Sequence, residues 1–130
     1  VSNDLAEFLL ERIAEDEATA QGAAYSPWRH DGGHYVMNHA TIAEVDDPED
    51  GRHIARWHPA RVLAECEVKR RIVEHVQHAQ ERYDQERGSG YGDGADMEWL
   101  TKLEALEPVL QMLAQPYSDH PAFRDEWRLS

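Results

Sequence analysis

Leu5, Phe8, Leu9 and Ile13 recur at intervals of three and four residues, which gathers apolar side chains on one face of a helix. With Ser2, Asn3 and Asp4 as possible caps and Gly22 as a stop, the pattern predicts a helix over 4–21. Ser26-Pro27-Trp28 then turns the chain. Tyr35-Val36-Met37 and Thr41 to Val45 are rich in strand formers on either side of Asn38-His39, and predict a β-hairpin near 34–45. A lone hairpin is marginal in water, so it is expected to lie against a helix.

Residues 46–51 read as a polar loop or a capped helix start, followed by a short helical stretch from Arg52 to Trp57. His58 falls at an N-cap position, and Pro59 opens the longest predicted helix, to about Glu86. Gly88 to Gly94 reads as a flexible linker. A further helix from about Asp96 carries Trp99, Leu100, Leu103, Leu106, Leu110 and Leu113, with a kink expected at Pro108. His120-Pro121 is expected to open a last short helix through Trp127. The fold class is therefore mainly α with a small β-hairpin (α+β): three main helices, a short terminal helix, and a C-terminal aromatic clamp of Tyr117, Phe123 and Trp127.

The chain of 130 residues has the usual size of one domain, and a single domain over 1–130 is expected. Its one cysteine, Cys66, excludes an internal disulfide and any zinc site needing two thiolates from this chain, which suits a reducing cytoplasm. Val1 to Leu10 carries Asp4 and Glu7 and no basic stretch, so it does not read as a secretory leader. No apolar run approaches the ~20 residues that span a bilayer.

Charge refines the picture. The net charge is −13, but it is unevenly placed. Residues 1–50 hold twelve acids against Arg12 and Arg29, residues 51–87 hold eight bases against six acids, and residues 88–130 are acidic again. Such a balance repels a phosphate backbone at long range and makes direct nucleic-acid binding unlikely, while leaving room for a local basic patch.

The most functional-looking polar group is His53, Arg56, His58 and Arg61, beside Trp57. Arginine and histidine near a helix start suit a phosphate or carboxylate. The plainer reading has His58 capping the helix, Trp57 plugging the core, and the arginines paired with the acidic N-terminal third. On a helical wheel of about 100° per residue, Val62, Cys66, Ile72, Val73, Val76 and Tyr83 form one apolar arc, and Lys69 falls inside it. A lysine there has to extend its ammonium to water or meet a carboxylate. Glu65, Glu7, Glu11 and Glu15 are the expected partners, with a ligand-binding role as the alternative. His75 and His78 have metal-ligand spacing but share the polar side with Arg71, so no metal site is expected. Cys66 reads as core rather than nucleophile. No nucleophile elbow, phosphate-cradling glycine loop or nucleotide fingerprint is present, so no catalytic residue is assigned and no cofactor is implied.

The stretches HIARWHPARVLAECEVKRRIVEHV (53–76) and LAQPYSDHPAFRDEW (113–127), with FLLERIAEDEATA (8–20) and SPWR (26–29), resemble a family of small actinobacterial and actinophage proteins known only as a domain of unknown function. Members of that family often carry a cysteine pair between the two main blocks. Here the corresponding stretch is GSGYGDG, so a metal site built on such a pair is not carried over. The resemblance brings no catalytic residues.

The function expected is that of a non-enzymatic protein-interaction or regulatory module with a protein partner. One alternative is an acidic mimic of nucleic acid that occupies a DNA-handling or defence enzyme. Another is a small enzyme or ligand sensor that uses the region from His53 to Lys69.

Overall fold

The computed structural model describes residues 3–23, 27–89 and 94–130. Its elements are α1 (Asn3–Gly22), β1 (Arg29–His30), β2 (Tyr35–Met37), β3 (Thr41–Glu44), α2 (Pro48–Arg56), α3 (Pro59–Ser89) and α4 (Ala95–Ala114), followed by two 3₁₀ turns, Gln115–Tyr117 and Asp125–Trp127. The expected class is the one observed, mainly helical with a small antiparallel sheet. The chain forms two compact units, Val1–Ile13 with Val68–Ser130, and Ala14–Glu67; α1 and α3 contribute residues to both. Most of the expected linker, residues 90–93, lies outside the described residues.

In the unit of residues 14–67, the hairpin of β2 and β3 pairs Val36 with Ala43 and Met37 with Thr41, with a bulge between Val36 and Met37. Val36 is fully buried. Asn38 closes the turn, its side chain accepting from the Ala40 N–H at 3.1 Å. The sequence reading missed a third strand: β1 pairs with β2, Arg29 opposite Met37 and His30 opposite Val36. The β1–β2 connection is set by Asp31, whose Oδ1 accepts from the N–H groups of Gly33 (2.8 Å) and Tyr35 (3.2 Å), and by Gly32 at φ 89°, a value glycine adopts without steric cost. Those backbone donors, Gly33 foremost, lower the pKa of the Asp31 carboxyl from its ordinary 3.8.

The segment after β3 is a capped helix start. Asp47 accepts from the Glu49 N–H at 2.9 Å, Pro48 occupies the first turn, Glu49 and Asp50 lie at the N-terminal end, and His53 and Arg56 lie at the C-terminal end. Each charge complements the helix dipole where it sits. α2 packs against β1 and β2 through Gly51, where an added Cβ would come within 2.6 Å of His30 Cδ2 and 3.1 Å of Val45 Cγ2.

In the unit of residues 1–13 and 68–130, Leu5, Phe8, Leu9 and Ile13 of α1 are buried, as are Val73, Val76 and Ala79 of α3 and Leu103, Leu110 and Ala114 of α4. The expected aromatic clamp forms around Phe8. Its ring centroid lies 6.3 Å from Tyr117, 6.0 Å from Phe123 and 5.0 Å from Trp127, within the usual range for edge and tilted aromatic pairs. Gln115 fastens the tail, donating to the Trp127 carbonyl at 2.8 Å. The last segment corrects one expectation. His120-Pro121 opens a turn, and the 3₁₀ turn begins only at Asp125: the His120 ring and carbonyl accept from the N–H groups of Ala122 (3.0 Å) and Phe123 (2.9 Å) and close a separate turn first, while Arg12 Nη1 lies 2.6 and 2.9 Å from the two ring nitrogens.

Lys69 corrects another. It is half-buried, but among the described residues no carboxylate lies within ion-pair distance of it. Glu65 instead meets Arg61 at 3.4 Å. Both cations stand four residues from Glu65, and the planar guanidinium, stacked on Trp57 at 4.1 Å, is the one already held in place.

Candidate functional site

The C-terminal turn of α2 and the N-terminal turn of α3 present arginines because a helix stacks residues three and four apart. Arg52 and Arg56 share one face of α2, with His53 beside them. Trp57 caps α2, its N–H bonded to the His53 carbonyl at 3.3 Å. The His58 carbonyl then accepts from the N–H groups of Arg61 (3.1 Å) and Val62 (3.2 Å), which places His58 at the N-cap position of α3.

These turns, together with β1, enclose a cleft of about 680 Å³ lined by Trp28, Arg29, His30, Glu49, Arg52, His53, Ala55, Arg56, Trp57 and Arg61. Four guanidinium groups and two imidazoles face a single carboxylate, in a chain of net charge −13. Arg52 is paired with Glu49 and Arg61 with Glu65. Arg29 donates to the Asn38 carbonyl at 3.1 Å. Among the described residues, neither Arg29 nor Arg56 has a carboxylate within ion-pair distance, so both keep uncompensated charge. His30 is structural: its Nε2 donates to the Gly33 carbonyl at 2.8 Å.

Trp57 is 41% exposed, which corrects the expectation that it plugs the core. Arg61 lies over its ring, and His53 is 6.2 Å away, centroid to centroid. Trp28 and Trp57 also line a second, mainly apolar pocket of about 230 Å³ with Asp16, Thr19, Ala20, Ala23, Pro59 and Val62. The two tryptophans are thus a wall shared by a cationic cleft and an apolar pocket.

Of the residues singled out in the sequence, His53, Arg56 and Arg61 line the cleft; His58 and Lys69 are not part of its lining. Trp28, Arg29 and His30 were missed as functional candidates. The signal was the WRH triplet after Pro27, of which Trp28 and Arg29 were read as a turn and His30 was not assigned, because two residues of strand are too few to show alternation.

His75 and His78 are exposed, and His78 packs edge-on against Trp99 at 5.9 Å. Among the described residues no group of three or more His, Cys, Asp or Glu is placed to hold a metal ion, and no helix is long and apolar enough to cross a membrane.

Fold and site together define a small, mainly helical protein whose three-stranded sheet and second helix carry an arginine-rich cleft. The chain belongs to a family of unknown function (DUF6221), whose model matches residues 2–129. No curated protein and no solved structure matches it.

Proposed function

We propose that the protein is a cytoplasmic regulatory module that acts by binding an anionic ligand in the cleft between β1, α2 and the start of α3. The observation that carries this reading is the meeting of Arg29, Arg52, Arg56 and Arg61 with two tryptophans around one concavity, in a chain that is otherwise strongly acidic. Like charges repel, so a cluster of arginines whose charge is only partly answered is a feature that stability alone would not favour. Arginine presents a rigid fork of donors that matches phosphate and carboxylate oxygens, and tryptophan supplies a flat apolar surface beside it. The buried thiol of Cys66 fits a reducing compartment.

Titration of the full chain with pyrophosphate, followed through the indole Nε1–H resonances of Trp28 and Trp57, tests the reading. Saturable shifts are expected at both. They should disappear in Arg56→Glu and at about 0.5 M salt, where screening is complete within a few ångströms. Absence of any shift, or shifts that survive Arg56→Glu, would refute a cationic binding site here.

A further inference from the structure

Resting on that reading, we propose that the cleft and the apolar pocket behind its tryptophans form one composite site for a phosphate monoester that carries a planar ring, of the nucleoside monophosphate kind. Three observations on the site select this chemistry.

The first is charge. Glu49 answers Arg52 and Glu65 answers Arg61, which leaves Arg29 and Arg56 as the two guanidinium groups of the lining without a carboxylate among the described residues. Two open cations at one cleft call for two negative charges on one ligand. A phosphate monoester carries about −1.5 to −2 near neutral pH with three acceptor oxygens. A carboxylate or a phosphodiester carries one.

The second is shape. The apolar pocket of about 230 Å³ is smaller than the roughly 300–1,000 Å³ typical of a site for a whole drug-sized ligand, but it has room for one ring system. The adjoining cleft of about 680 Å³ takes the remainder. Because Trp28 and Trp57 line both, the two cavities adjoin at these rings, and in the proposed complex the ligand's ring lies against them with its phosphate toward the arginines. Thr19 lies in the lining of the apolar half and gives a ring edge a hydroxyl to bond.

The third is the rest of the chain. At −13 it repels an extended polyanion over its whole length, whereas a compact dianion meets only the local field of the cleft. A single nucleotide is therefore favoured over a nucleic acid strand.

Calorimetric titration of the full chain with AMP, GMP, CMP and UMP, and separately with inorganic phosphate, adenosine, guanosine, cytidine, uridine and phenyl phosphate, tests the proposal. At least one nucleotide is expected to bind with Kd below about 100 µM, and at least about ten-fold more tightly than inorganic phosphate or its own nucleoside. Arg56→Gln should weaken that nucleotide by about ten-fold or more, the loss of one charge-assisted contact. Trp57→Leu should weaken the nucleotide by a larger factor than it weakens inorganic phosphate, because the ring stacks the ligand as well as Arg61. Arg29→Gln is a poorer probe because Arg29 also holds the Asn38 carbonyl; Arg56 is exposed and makes no such contact, so its variant carries the test.

The proposal is overturned if no nucleotide binds better than inorganic phosphate, if phenyl phosphate binds and the nucleotides do not, or if Arg56→Gln leaves nucleotide affinity unchanged. Where pyrophosphate still shifts the tryptophan resonances in any of these cases, the anion-binding reading stands and only the nucleotide assignment falls. If neither pyrophosphate nor a nucleotide binds, both fall.

Discussion

Arg12 brings a permanent charge into a helix face otherwise made of Leu5, Phe8, Leu9 and Ile13, and it is only 6% exposed. Its guanidinium lies over the Phe8 ring at 5.1 Å and donates to the His120 ring, so it links the first helix to the C-terminal turn. A hydrogen bond from a charged donor is worth about 1.5–3 kcal/mol, and truncation also removes the packing of the stem. Arg12→Ala is therefore expected to destabilise the fold by about 2–3 kcal/mol in urea unfolding, whereas Lys69→Ala, with no carboxylate left behind, should stay within about 0.5 kcal/mol of the parent. The helical wheel alone does not separate the two residues. Both cations interrupt an apolar arc on the wheel, Lys69 among Cys66, Val73 and Val76 and Arg12 between Phe8 and Leu5, yet only Arg12 is buried. Helical spacing already puts Arg12 on the apolar face, but its partner His120 lies more than a hundred residues away, and no local spacing encodes that pairing.

The seating of α2 on the sheet depends on Gly51. A methyl group there would meet the His30 ring at 2.6–2.8 Å and Val45 at 3.1 Å, and the ring is held by its bond to the Gly33 carbonyl. Gly51→Ala is expected to raise helix propensity slightly yet lower overall stability by about 1–3 kcal/mol, and the Trp28 and Trp57 resonances should shift because α2 carries one wall of the cleft. The β1–β2 connection has its own signature in acid. A carboxyl whose folded pKa is lowered contributes stability that is complete above its unfolded value, near 3.8 for Asp31, and is lost as the pH falls through the lower folded value. The Asp31 carboxyl carbon should therefore titrate below 3.8 in an NMR experiment, and Asp31→Asn should remove the corresponding step. At this scale the long elements were legible because each spans several periods: Pro59 and Asp47 mark helix starts by their backbone chemistry, and the hairpin is written in strand formers around Asn38. β1 was not legible. Its pairing is decided by the bulged partner strand and by Asp31 and Gly32 turning the chain back.

At the scale of the whole molecule, charge acts on stability and on binding in opposite directions. The sequence already placed a basic stretch between two acidic ones, and Arg52, Arg56 and Arg61 of the cleft come from it; Arg29 comes from the acidic N-terminal third, which only the fold could reveal. A chain of net charge −13 repels itself when compact, and screening relieves that repulsion. Among the described residues, ion pairs are largely i,i+3 and i,i+4 contacts along helices, such as Arg82 with Glu86 at 3.1 Å and Lys102 with Glu98 at 3.5 Å. Pairs of this kind contribute only about 0.3–0.5 kcal/mol each, so their loss to salt is small beside the relief of net repulsion. Raising sodium chloride from about 10 mM to about 150 mM shortens the screening length from about 30 Å to about 8 Å, and the melting temperature is expected to rise. Over the same range the attraction of an anion to Arg29 and Arg56 is screened as well, and its affinity for the cleft should fall. Thermal melts and pyrophosphate titrations across one salt series measure both. If the melting temperature falls with salt, the local ion pairs outweigh the net charge. If pyrophosphate affinity is flat across the series, the arginines of the cleft are not what holds the anion.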